Sequence, residues 1–213
     1  MIQIKKFTFN PVQENTFLLY DETKECIIVD AGCYFENEKK ELDDFISENG
    51  LKPVKLVNTH CHFDHLLGVT YCRSKYNIPF LAHKDDAFLV ERAVESGDRF
   101  AVPLEPIDQP DGFLEEGQKI KFGDSFLEMI HVPGHAPGSI VFHQPEQKFI
   151  IAGDVLFYGS IGRTDLPMGS FEQLTSNIKN KLFILPDETA VYCGHGPETS
   201  IGFEKKNNPF LVD

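Results

Sequence analysis

Asn58-Thr59-His60-Cys61-His62-Phe63-Asp64-His65 sets three imidazoles and a carboxylate within six consecutive residues, directly behind the apolar positions Val54, Leu56 and Val57. That apolar run reads as the end of a buried strand, and Leu66, Leu67, Val69 and Tyr71 read as the apolar face of a following helix, so the cluster sits on a strand-to-helix connection. Such connections are where α/β proteins build sites. In an extended loop, side chains at i, i+2 and i+4 point the same way, which aims His60, His62 and Asp64 at one place and turns Cys61 and Phe63 away from it. His65 breaks the alternation where the helix begins and so addresses a second, adjacent position. A polar turn bonded only to its own backbone is the plain alternative, but three histidines and an aspartate at this spacing have the composition of a metal-binding donor set.

Upstream, Ile2 to Phe9, Thr16 to Tyr20 and Cys26 to Val29 read as strands, the last two flanking the hairpin composition Asp21-Glu22-Thr23-Lys24. Leu42, Phe45 and Ile46 recur at helical spacing between Phe35 and Asn49, with Gly50 as the stop. Lys52 to Val57 is the strand that delivers the cluster; a helix over 65–76, a strand over 79–82 and a helix over 85–95 follow. Pro103, Pro106 and Pro110 predict an irregular loop over 101–118, either idle or lining a pocket. Strand patterns resume at 119–122, 125–132, 140–143 and 149–151, then a helix over 171–184, a strand at 190–193 and a helix at 201–206. The order is strands then helices, given twice. Two sheets, each covered by helices on one face, would bury their bare faces against each other. The expected fold is α+β, a four-layer α/β/β/α sandwich of two mixed sheets with helices outside, with residues 1–213 forming one domain.

A net charge of −13 over 213 residues repels phosphate backbones and anionic lipid, so neither nucleic acid nor membrane is an expected partner. The N-terminus lacks the apolar run of a secretory signal, and no stretch is long and apolar enough to span a bilayer, which predicts a cytoplasmic protein. Five cysteines, an odd number without paired spacing, read as reduced thiols; Cys26, Cys33 and Cys72 fit small buried hydrophobes.

The second half adds three strand-end donors. His135 stands in the rigid loop Pro133-Gly134-His135-Ala136-Pro137-Gly138, Asp154 follows Ile150-Ile151-Ala152-Gly153, and His195 lies between Gly194 and Gly196. Each is a weak signal alone. Together with the first cluster they resemble, in residue type and order, the metallo-β-lactamase fold superfamily over essentially the whole chain. The resemblance implies that His60, His62 and His135 bind one metal, that Asp64, His65 and His195 bind a second, and that Asp154 bridges them.

Gly153-Asp154 through Gly162-Arg163-Thr164-Asp165-Leu166-Pro167, with Gly194-His195-Gly196-Pro197-Glu198-Thr199 and Asn208-Pro209-Phe210-Leu211, is similar to the short bacterial hydrolases grouped with glyoxalase II. That implies a dinuclear metal-dependent hydrolase of small-molecule thioesters, with a metal-bridging hydroxide as nucleophile and Asp64 orienting it. The nitrogen and oxygen donor set suits two divalent ions, zinc first and iron or manganese as alternatives. Arg163-Thr164-Asp165 stands where full-length glyoxalase II carries glutathione contacts, which leaves the thiol open. The rival implied by the fold is a mononuclear iron persulfide dioxygenase, against which the completed second set at His195 speaks. Three residues keep two readings each: Asp64 as the group that orients the hydroxide or as a ligand only, Asp30 as a support for a ligand histidine or as a turn cap, and Arg163 as a grip on a substrate carboxylate or as half of a salt bridge. His83, His131 and His143 read as structural.

Overall fold

The structure, a computed structural model, describes residues 1–212. Its first sheet begins with three antiparallel strands, β1 (Gln3–Phe9), β2 (Glu14–Tyr20) and β3 (Glu25–Val29). β4 (Lys52–Val57), β5 (Phe80–His83) and β6 (Gly112–Leu114) add to it in parallel, in the order β1-β2-β3-β4-β5-β6. Parallel addition requires crossovers. These are α1 (Glu36–Glu48), α2 (Val69–Tyr76) and the broken pair α3 (Ala87–Glu91) and α4 (Ala93–Arg99). In the second sheet β7 (Lys119–Phe122), β8 (Ser125–His131), β9 (Ile140–Gln144) and β10 (Phe149–Gly153) form an antiparallel meander. A small ribbon, β11 (Leu156–Phe157) with β12 (Ser160–Ile161), leads to α5 (Phe171–Asn177) and a π-helical turn at Ile178–Leu182. β13 (Ala190–Cys193) then pairs in parallel with β10, β14 (Thr199–Ser200) closes the edge, and α6 (Ile201–Asn207) covers it.

Strand alternation sorts the apolar residues into three layers. Phe17, Leu19, Ile27, Val29 and Val57 of the first sheet meet Phe122, Leu127, Met129, Phe142 and Ile151 of the second. Their strand neighbours Leu18, Cys26, Ile28 and Leu56 face outward onto Leu42 and Ile46 of α1 and Cys72 of α2. Val141, Ile150 and Val191 face outward onto Leu174, Ile178, Leu182 and Ile201. Each fully buried aliphatic or aromatic side chain contributes about 1.5–3 kcal/mol, and both faces of both sheets are covered. The fold is therefore the α+β four-layer α/β/β/α sandwich that the residue pattern implies.

Local departures have local causes. The segment 101–118 is not wholly irregular: past its prolines, β6 pairs with β5 at the sheet edge. The helix expected from residue 65 starts only at Val69, because Phe63–His65 first curl into a 3₁₀ turn. The helix expected over 85–95 breaks at Arg92 and continues to Arg99. Among the described residues no helix is long and apolar enough to cross a membrane.

Candidate metal centre

The functional side chains follow the C-terminal ends of β4, β10 and β13 and stand on the loop after β8, with Asp30 at the end of β3 behind them. His60 and His62 come from the loop after β4, and their alternation turns Cys61 into the outer apolar layer. His62 is still extended, at φ −67° and ψ 151°; the 3₁₀ turn then begins, so Asp64 leaves the direction set by His60 and His62. The i, i+2, i+4 expectation thus holds for the two histidines and fails at Asp64, because the chain is no longer extended there.

His135 Nε2 lies 2.9 Å from His62 Nδ1 and 3.2 Å from His60 Nε2. Asp64 Oδ2 lies 3.1 Å from His195 Nε2 and 3.7 Å from His65 Nε2. Asp154 stands between the two sets: Oδ1 is 3.4 Å from His65 Nε2, and Oδ2 is 3.6 Å from His135 Nε2 and 3.7 Å from His195 Nε2. The structure therefore brings all seven sequence-predicted residues together, in two sets that share Asp154. His60, His62 and His135 form one candidate ion-holding group, and Asp64, His65 and His195 another.

A cation fits this arrangement on three observations. His65 Nε2 and Asp154 Oδ1 are buried, face each other and have no hydrogen-bond partner. Tetrahedral bonds of about 2.0–2.1 Å set imidazole nitrogens about 3.3 Å apart, close to the spacing of the first set. Most of the outer ring nitrogens are also committed, which fixes which nitrogen faces inward. His135 Nδ1 donates to the Arg163 carbonyl at 2.8 Å, and His195 Nδ1 to the Gln13 carbonyl at 3.1 Å. His60 Nδ1 lies 3.2 Å from Thr59 Oγ1, which itself donates to Asp30 Oδ2. His65 Nδ1 faces Asp30 Oδ2 at 3.0 Å. Asp30 also accepts the Thr59 N–H at 2.6 Å, so instead of capping its own turn it braces the loop after β4 and stands behind His65.

The electrostatics divide the same way. Burial, reinforced by His65 and His62, pushes His60 well below the usual histidine range, and burial together with His135 takes His62 down to about 4. Burial opposes charge on His65 as well, but Asp64, Asp30 and Asp154 outweigh it and hold that imidazole well above its usual range. Against burial, His65 above all keeps Asp64 low and Asp154 well below the carboxylate range. His195 is raised, burial being overcome by Asp64 and Asp154.

Two buried carboxylates escaped the sequence reading. Glu14 is fully buried, 3.9 Å from His65 Nδ1, and burial pushes it well above its usual range. Asp86 accepts the Cys61 N–H at 2.9 Å and the Gly138 N–H at 2.6 Å, tying the His60–His62 loop to the His135 loop. The available signal was an unbroken polar run, Glu14-Asn15-Thr16, inside a strand buried almost end to end. Close backbone approach also matters: a Cβ on Gly194 would lie 2.3 Å from Asp154 Oδ1.

The remaining candidates lie outside the converging set. Arg163 makes a bidentate pair with Asp165, at 2.7 and 2.8 Å. His83 stacks on His131, whose Nε2 donates to the Pro137 carbonyl at 2.8 Å, and His143 sits on β9. All five cysteines are free and buried. A cleft of about 270 Å³ opens over the centre, walled by α3, α4, Val12 and the Arg163–Pro167 loop.

The family model of the metallo-beta-lactamase superfamily matches residues 9–195. Hydroxyacylglutathione hydrolase GloC of Haemophilus influenzae is 38% identical over 201 residues, 93% of either chain. Two solved structures superpose closely. One is BLEG-1 B3 metallo-beta-lactamase, with TM-score 0.91 and 33% identity over 99% of this chain and 100% of that one. The other is TTHA1623 in a di-iron-bound form, with TM-score 0.87 and 36% identity over 97% of this chain and 100% of that one.

Proposed function

This chain belongs to the metallo-beta-lactamase superfamily and is a metal-dependent hydrolase, and from that premise we propose that it is a dinuclear thioester hydrolase of the glyoxalase II kind. The observation that carries the reading is Asp154, whose two oxygens face His65 on one side and His135 and His195 on the other. His60, His62 and His135 would hold one divalent cation, Asp64, His65 and His195 the second, and Asp154 both. Zinc is the first choice by donor type, with iron and manganese as alternatives; the di-iron form of a protein 36% identical supports a two-ion centre.

Bound cations would lower the pKa of water from 15.7 to about 7 and polarise the acyl carbonyl. The chain's own groups do the rest. Asp64, which lines the cleft, would accept a hydrogen bond from the attacking water through Oδ2 and orient it. The carbonyls of Arg163 and Gln13 hold the outer N–H of His135 and His195, keeping their inner nitrogens fixed. A thiol of pKa about 8.5 leaves as thiolate without a strong acid behind it. An amine would need such an acid, and among the cleft residues the carboxyl outside the two donor sets is Glu95, already paired with Arg99. This favours a thioester over a lactam. The substrate is a small molecule, and the free cysteines fit a reducing cytoplasm.

The test is hydrolysis of S-lactoylglutathione and a panel of simpler thioesters by metal-counted protein, with a chromogenic β-lactam in parallel and His195→Ala as control. Thioester turnover lost in the variant supports the reading. Lactam turnover alone, or one iron per chain with oxygen uptake on a persulfide, replaces it with the corresponding rival.

A further inference from the structure

Arg92 stands at the break between α3 and α4, where φ is −97° and ψ is 5°. Val90 and Ala93 are buried in the protein, while Leu89, Arg92, Ser96 and Arg99 line the cleft over the metal centre. Three arginines line that cleft. Two are neutralised by their own carboxylates, Arg99 by Glu95 at 2.5 Å and Arg163 by Asp165 at 2.7 Å. The Arg92 guanidinium has no hydrogen bond, ion pair or ring contact among the described residues. In a chain of net charge −13, an uncommitted cation beside the reaction site is an exception to the surface around it.

We propose that Arg92 is an anion subsite of this cleft and takes a carboxylate carried by the substrate away from the scissile carbonyl. A guanidinium grips a carboxylate through two parallel N–H donors. One uncommitted positive charge matches a monoanion and leaves a phosphate dianion half neutralised. The same cleft also offers apolar surface, from Phe63 stacked on Phe100 at 5.1 Å and from Phe88 and Leu89, which suits a short apolar chain ending in that carboxylate. The proposal rests on the hydrolase reading for the scissile bond, and the anion site itself is testable without turnover.

The experiment compares wild type, Arg92→Gln and Arg92→Lys, all metal-loaded. The substrates are a thioester of 3-mercaptopropionate, a neutral thioester of N-acetylcysteamine and a thioester of phosphopantetheine. Calorimetry with a 3-(alkylthio)propionate, a non-hydrolysable thioether, accompanies the kinetics. In Arg92→Gln the KM of the carboxylate substrate should rise about tenfold relative to that of the neutral one, the size of one charge-assisted contact at a partly wetted site, with kcat little moved. Arg92→Lys should recover part of that ratio, and thioether binding should weaken by the same factor. An unchanged KM ratio with turnover intact overturns the subsite and leaves the hydrolase. Absent turnover with thioether binding that still depends on Arg92 removes the hydrolase and leaves the subsite. Dependence on Arg92 confined to the phosphopantetheine thioester overturns the carboxylate.

Discussion

Asp86→Asn should change how stability depends on pH. Asp86 is fully buried and receives the N–H groups of Cys61 and Gly138, which favour its carboxylate, while burial favours the neutral acid and wins, holding it at about 6. Its unfolded value lies near 3.8, and the difference between the two is worth about 3 kcal/mol. The sign follows from linkage: a carboxyl raised on folding adds stability that is fully present below about pH 4 and lost as pH rises through about 6. The carboxamide that replaces it in the variant cannot titrate. The difference in unfolding free energy, wild type minus Asp86→Asn, should therefore fall by about 2–3 kcal/mol between pH 4 and pH 7.5. Urea unfolding at half-unit pH steps measures it, and the titrations of all other groups cancel in the difference. A flat difference, or one that rises with pH, would refute the reasoning, since it would mean that the two N–H donors match or outweigh burial.

Three further outcomes follow from the centre. Gly194→Ala puts a Cβ 2.3 Å from Asp154 Oδ1 and 3.0 Å from His65 Cε1, so it should cost about 1–3 kcal/mol and weaken metal retention, as read by chelator titration; wild-type retention would show that the backbone gives way freely. Cys61→Ser should leave metal stoichiometry intact, because Cys61 packs in the apolar layer behind the loop; loss of a metal equivalent would reverse that assignment. Asp64, Asp30 and Asp154 raise His65 against burial, so cation uptake should release a proton from it. Calorimetry at pH 7 in buffers of different ionisation enthalpy should give heats that differ accordingly, and buffer-independent heats would contradict the charge assigned to His65.

The layers were legible because period-2 alternation in strands such as Phe17-Leu18-Leu19 and Ile27-Ile28-Val29 sends neighbours to opposite faces whatever the rest of the chain does. The seven converging residues were legible as types at strand ends, and their division into two sets came from family resemblance. Asp64 shows why local reasoning stopped short: its direction depends on a 3₁₀ turn closed by His65 N–H to the His62 carbonyl, which spacing does not reveal. Glu14 and Asp86 were hidden for another reason. Each acts on a loop far away in sequence, Glu14 beside His65 and Asp86 between Cys61 and Gly138, and a polar residue at the start of a strand or just beyond its end looks the same whether it faces solvent or a buried partner. β6 was masked by the prolines that precede it.

The central claim is a pair of cations held by side chains from both halves of the molecule. Elemental analysis of the purified chain beside His195→Ala tests it most directly. Two metal equivalents per chain falling to one in the variant is the predicted result; one equivalent or fewer in the native chain, or the same count in both proteins, would contradict it.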